Sequence, residues 1–208
     1  MSDIMTHILS RRSIRKYTDE PLGREDILRL LQAAMAAPSA TNRQPWEFVV
    51  VTEPDVLKRL RGALILGRYN APAAIVVCGN MGRAQPWPAR DFWIEDCSAA
   101  TENILLAATG LGLGTVWIGV YPIGLFVKAV SRALSLPKSI IPLCAVYVGH
   151  PARRKRPELS TTKGGSIGKS TRRDARMATK AAQRIDPSHS GGINGRVGWG
   201  HALTGLMS

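Results

Sequence analysis

The sequence predicts a layered fold, α/β or α+β, in which helices pack on one sheet. Two observations carry that reading: helical and strand periodicities alternate between residues 27 and 148, and the 45% hydrophobic content is ample for one buried core. A chain of 208 residues is long enough for one large or two small domains, and one is expected.

The elements follow in order. Ile27, Leu30, Leu31, Ala34 and Met35 repeat at helical spacing and stop before Pro38, which disfavours helical geometry in the residue ahead of it. Residues 38–45 are therefore a loop. The β-branched and aromatic run 46–52 reads as a strand, and Glu53-Pro54-Asp55 opens a helix with Leu57, Leu60 and Leu64 on one face. Residues 75–78 read as a buried strand. A long helix covers 91–111 and closes on Gly110, Gly112 and Gly114, followed by a strand at 115–120. A shorter helix, 126–134, leads through Pro137 to a last strand, 143–148.

Charge separates the chain into two parts. The net charge of +13 suggests nucleic acid or an anionic membrane as partner. Yet residues 151–208 hold 12 of the 28 Lys+Arg and 3 of the 15 Asp+Glu, a net +9 that leaves +4 for residues 1–150. The basicity belongs to a tail without periodicity, whose only aromatic residue is Trp199, so an interleaved nucleic-acid surface is disfavoured. No apolar run approaches the roughly 20 residues that span a bilayer, and the first residues lack the apolar core of a signal peptide, so a cytoplasmic protein is expected. Cys78, Cys97 and Cys144 have no ligand spacing and read as buried thiols in a reducing compartment. The histidines, His7, His150, His189 and His201, are scattered, and no metal site is expected.

Two segments carry candidate chemistry. Arg11, Arg12, Ser13 and Arg15 gather phosphate-binding donors within five residues; the alternative is a solvated cationic helix end. In the loop from Pro38 to Trp46, two prolines stiffen a backbone that carries Ser39, Asn42 and Gln44; the alternative is an ordinary polar turn. Gly112 and Gly114 match a dinucleotide fingerprint only loosely, since they follow a helix rather than a strand. Asn103, on the long helix, fits a structural role as well as a functional one.

Arg11-Arg12-Ser13-Ile14-Arg15, Pro38-Ser39-Ala40-Thr41-Asn42-Arg43-Gln44-Pro45-Trp46 and the run from Asn103 to Tyr121 together resemble the nitroreductase family of FMN-dependent oxidoreductases, over roughly residues 6–151. The resemblance implies an α+β fold, a mixed sheet flanked by helices, in an intertwined homodimer. It implies that Arg11, Ser13 and Arg15, with Arg12 beside them, hold the phosphate and ribityl end of FMN. Pro38, Ser39, Ala40 and Asn42 would contact the flavin of the other subunit, and Trp117, Ile118 and Gly119 would run past its reactive edge. The chemistry would lie on the flavin, with no catalytic side chain. NAD(P)H would be the electron donor, and a nitroaromatic, quinone or related small molecule the acceptor, in a ping-pong cycle. Enone reduction and flavin cleavage are the alternatives within the family.

The resemblance fixes a domain at residues 1–151 and leaves 152–208 as a basic, low-order tail. Relatives finish with a short acidic and aromatic segment soon after the Gly-His-Pro that stands at Gly149-His150-Pro151, and commonly place a C-terminal Arg on the phosphate. Nothing after Pro151 matches in frame, which opens the reading of a disabled member. Permissible third bases for the codons of Ala152 to Arg172, read one frame over, give PEEKTRTQYDEGRVHWEKY and then a stop. A one-base frameshift near Ala152 is therefore the hypothesis for the tail, with residues 172–208 as translated downstream sequence. Resequencing the gene across that codon should reveal an inserted or lost base; an unambiguous frame identical to the one translated here removes the idea.

Overall fold

The computed structural model describes residues 4–65 and 67–153. Among them are α1 (Ile4–Ser10), α2 (Arg24–Met35), β1 (Trp46–Val51), α3 (Pro54–Ala63), β2 (Ala73–Asn80), α4 (Phe92–Gly110), β3 (Gly114–Gly119), α5 (Gly124–Ala133) and β4 (Ile140–Gly149). The expected tail lies outside the described residues from position 154 onward. Every other predicted element is present within a few residues of its expected bounds, and α1 was not anticipated.

The sheet order is β1-β2-β4-β3, with each neighbouring pair antiparallel. The mixed character that the resemblance implied is confined, among the described residues, to one parallel bridge between Ser13 and Thr115. β2 and β4 form the middle of the sheet and are buried on both faces, which is why they read as continuous apolar runs. Ile75, Val77, Cys144, Val146 and Val148 face a core shared with α2 and α4 through Leu30, Ala34, Trp93, Cys97 and Ile104. Ala74, Val76, Cys78, Ala145 and Tyr147 face the opposite core, with Leu57, Leu60 and Val130 from α3 and α5. The result is three layers, helices on both sides of one sheet.

Local chemistry explains where elements stop. Glu25 and Asp26 sit in the first turn of α2, where carboxylates favour the helix dipole, and Pro54 begins α3 where no N–H partner is needed. α4 ends at Gly110, and Gly112 takes a φ of +74° in the turn to β3. Within β4, Pro142 cannot donate to the ladder, and the register of β2 against β4 shifts between Val77 and Cys78. Cys78 then faces Pro142 while Val77 faces Cys144, and the skipped Leu143 offers its carbonyl to the N–H groups of Val120 and Tyr121, both at 3.0 Å. The irregularity thus anchors the end of β3.

All three cysteines are free and buried. Burial pushes the Cys78 and Cys144 thiols up to about 12 and raises Cys97 as well. A raised thiol pKa means less thiolate at every neutral pH, and the thiolate is the reactive form. The folded chain should therefore leave a disulfide-exchange reagent such as Ellman's largely unconsumed at pH 8 and titrate three thiols once unfolded in guanidinium; prompt reaction of the native chain would contradict this burial.

Candidate functional site

Beyond α1 the chain becomes extended. The Arg12 guanidinium donates to the carbonyls of Leu9 at 3.0 Å and Arg11 at 2.6 Å, closing the helix end where unsatisfied carbonyls gather. Ser13 bridges Thr115, and the Ile14 N–H donates to the Thr115 carbonyl at 2.8 Å. Further along, the Thr18 N–H donates to the His150 carbonyl at 2.9 Å and the Ala152 N–H to that of Lys16 at 3.1 Å. Asn70 clamps the same segment from the side: it accepts the Tyr17 N–H at 3.2 Å and donates to the Tyr17 carbonyl at 2.8 Å. The buried Tyr17 hydroxyl donates to the Ile14 carbonyl at 2.6 Å, and burial holds its pKa well above the usual phenol range.

The cation cluster is therefore fastened to the start of β3. Gly114 permits the contact: a Cβ there would come within 2.8 Å of the Ile14 side chain. Arg11 is partly buried, with Nε 3.7 Å from Oε1 of Glu102 on α4; Arg15 points into solvent. A cavity of about 300 Å³ opens beside Ser10, Arg12, Ile14, Thr109 and Leu113.

The second segment is held differently. Ala40–Asn42 form one 3₁₀ turn, and Thr41, Asn42 and Gln44 all have positive φ, at 50°, 55° and 48°. Asn tolerates that region; Thr and Gln do so at a cost. Several bonds hold the conformation. The buried Asp96 of α4 accepts the Ala40 N–H at 2.8 Å, and Gln85 donates to the Ala40 carbonyl at 3.2 Å and bonds the Thr41 hydroxyl. Ser39 Oγ accepts the Gln44 N–H at 3.0 Å, and Asn42 Oδ1 accepts from the Gln44 side chain at 3.1 Å. Pro38, Ser39 and Ala40 line a depression of about 370 Å³ with Phe92, Glu95 and Asp96.

Trp117 and Ile118 are half-buried, and Gly119 faces open space, with no atom within 4 Å of a Cβ placed there. The sheet order separates the other two segments. Trp46, which ends the loop, lies level with Ile141 on the β1 side, and Gly114 is level with Gly149 on the β3 side. At about 3.3 Å per residue and about 4.8 Å per strand, those corners are about 26 Å apart along the sheet and about 14 Å across it. The backbones of the loop and the cation segment thus lie at opposite corners of the sheet, while both are tied to α4, the loop at Asp96 and Arg11 at Glu102. Gly119 lies between the two corners in level, opposite Cys144.

The nitroreductase family model matches residues 8–67 and 64–150, which takes in both segments and β3. The chain belongs to the nitroreductase family. A protein of Archaeoglobus fulgidus, provisionally named as an NADH dehydrogenase/NAD(P)H nitroreductase, is 46% identical over 157 residues, covering 74% of this chain and 89% of its own. A crystal structure from Parabacteroides distasonis with the same provisional name is 40% identical with a TM-score of 0.72, covering 77% of this chain and 94% of that one. An FMN-dependent nitroreductase from Clostridium difficile is 32% identical with a TM-score of 0.68, over 75% of this chain and 92% of that one.

Some supports of the nitroreductase frame were not read from sequence. Asp96, Gln85, Asn70 and Glu102 each position a candidate segment; none carried a distinctive signal, since Glu95, Asp96 and Glu102 are all acidic residues on the same apolar helix. Asn103 donates to the Ala33 carbonyl at 3.0 Å and ties α4 to α2, a structural role.

The Gly114–Ile14 contact gives a direct test. Gly114→Ala should destabilise the fold by about 1–3 kcal/mol, the usual cost of overpacking, read as a lower midpoint in urea. An unchanged midpoint would mean that the cation segment is not seated on β3 as described.

Proposed function

We propose that this nitroreductase-family chain, an FMN-dependent NAD(P)H oxidoreductase, works as a homodimer and reduces nitroaromatic, quinone or related acceptors in a ping-pong cycle. The observation that supports the reading is the placement of the loop and the cation segment at opposite corners of the sheet, an arrangement that pairing of two chains would bring to one site. A second feature supports pairing, since α1 leaves Ile4, Met5, Ile8 and Leu9 about half exposed along one short helix.

The residues fit the cofactor. Arg11 and Arg15 supply guanidinium forks and Ser13 a hydroxyl for a phosphate dianion, all on a segment fixed to β3. Gly119 leaves room for a flat ring to approach the backbone, and Trp117 and Ile118 are half-buried beside it. FMN, when bound, accepts two electrons from the nicotinamide and returns them to the acceptor. The protein's own part is to hold the phosphate, offer backbone N–H groups along β3, and narrow access of water with the partner's loop from Pro38 to Asn42. Because one pocket would serve donor and acceptor in turn, the nicotinamide must leave before the acceptor enters.

No helix among the described residues is long and apolar enough to cross a membrane. Three buried free thiols support a reducing compartment, and hence the cytoplasm.

The test is the visible spectrum, FMN content and gel-filtration mass of the purified full chain, with NAD(P)H oxidation followed in the presence of a quinone. Yellow protein at dimer mass that turns over is the expected result. Arg11→Ala and Arg15→Ala should each weaken FMN binding about ten-fold or more, as the loss of a charge-assisted hydrogen bond implies. A folded dimer that takes up no FMN from excess cofactor would overturn the reading and identify a disabled member.

A further inference from the structure

A second cleft, of about 420 Å³, opens beside the loop, shares Arg43 with it, and contains none of the residues proposed to hold the flavin. Arg43 and Arg90 line it, with Met81, Gln85, Pro86 and Trp87. Its wall is an ordered turn. Asn80 accepts the Gly82 N–H at 2.9 Å and donates to Glu47 at 3.0 Å, while its own carbonyl accepts the N–H groups of Arg83 and Ala84 at 3.0 Å. Arg83 is taken up by Glu47 at 3.7 Å, but among the described residues no carboxylate pairs with Arg43 or Arg90. Trp87 stands between Pro86 and Pro88 with 86% of its surface exposed, an indole presented to solvent rather than to the core.

Two unpaired guanidiniums and a free aromatic face at one cleft fit a ligand that is aromatic at one end and doubly anionic at the other. Indole stacks on a purine, and a guanidinium fork matches a phosphate. The cleft volume falls in the range of small-molecule sites. Gln85 forms part of its wall and bonds the Ala40 carbonyl, so the cleft is continuous with the loop that the proposed function carries to the partner's flavin. We propose that this cleft takes the adenosine 2′-phosphate end of NADPH, with Trp87 stacked on the adenine and Arg43 and Arg90 on the phosphate, and so sets a preference for NADPH over NADH. The inference rests on the oxidoreductase reading for its choice of dinucleotide, but its binding test needs neither flavin nor turnover.

Calorimetric titration of the full chain with 2′,5′-ADP and with 5′-AMP tests it. The 2′-phosphorylated nucleotide should bind at least ten-fold tighter, and Arg43→Ala/Arg90→Ala should bring the two within about two-fold. A chain of net charge +13 attracts any polyanion, so Arg24→Ala/Arg132→Ala, with the same charge change elsewhere, serves as control and should keep the preference. Trp87→Ala should weaken both nucleotides together. In the flavin-loaded enzyme the ratio of kcat/KM for NADPH over NADH should fall at least ten-fold in the Arg43/Arg90 double variant. Equal affinities in the wild-type chain, a preference that survives the double variant, or an equal loss in the control would each overturn the site. Absence of FMN uptake with the 2′,5′-ADP preference intact would sink the proposed function and leave the nucleotide cleft standing.

Discussion

The double burial of the β2–β4 pair is the constraint from which the rest of the architecture follows. Ile75, Val76, Val77, Val146 and Val148 are fully removed from water, and each such side chain contributes about 1.5–3 kcal/mol. Because alternate residues of both strands feed two separate cores, a one-residue slip would exchange the contents of those cores. Register is thereby fixed everywhere except at Pro142, where the ladder lacks a donor and gives way. With β2 and β4 held in the middle, β1 and β3 are the outer strands of the sheet among the described residues. The loop that leads into β1 and the cation segment fastened to β3 are placed at opposite corners by the same burial that stabilises the fold.

The loop is costly, and its stiffness comes from outside it. Of the three residues of positive φ, Asn42 tolerates the region, and Thr41 and Gln44 carry about 1–2 kcal/mol each, or about 2–4 kcal/mol together. Five hydrogen bonds from Asp96, Gln85, Ser39 and Asn42 offset this at about 0.5–1.5 kcal/mol each, or about 2.5–7.5 kcal/mol. The two amounts are comparable, so the conformation persists only while α4 and the turn holding Gln85 are in place. Trp93 links those elements, since Gly79 at the end of β2 has no Cβ and leaves room for the indole. The loop is therefore tied to the core through its neighbours.

Much of this was legible in the sequence, for reasons that differ by element. The helices at 24–35, 54–63 and 124–133 have an apolar stripe and a polar face, and the strands have β-branched runs; local pattern suffices there. α1 escaped notice because seven residues make only about two turns, too few for the stripe of Ile4, Met5, Ile8 and Leu9 to establish a period. Strand order was illegible, since the pairing of residue 73 with residue 148 is decided by which strands are most apolar, not by any local signal. The cation cluster and the Pro38–Trp46 loop were legible as chemistry. Their supports were not: Glu102 and Asn70 are ordinary surface residues in sequence, and only the fold brings them to Arg11 and Tyr17.

Three arginines within five residues repel one another, and the fold disperses their charge without neutralising it. Arg12 is turned onto the carbonyls that end α1, Arg11 leans on Glu102 at 3.7 Å, and Arg15 is left in water. A contact at that distance between partly exposed groups is worth about 1 kcal/mol or less. A phosphate dianion offering bidentate geometry to the same guanidinium is worth more, because each charge-assisted bond contributes about 1.5–3 kcal/mol. Arg11 can therefore exchange its carboxylate for a phosphate at a net gain, whereas a monoanion of carboxylate type would merely replace Glu102 with its equal. The same comparison separates the two ends of the molecule. At the N-terminal cluster an incoming anion has to displace Glu102 from Arg11, whereas among the described residues no carboxylate pairs with Arg43 or Arg90 at the cleft.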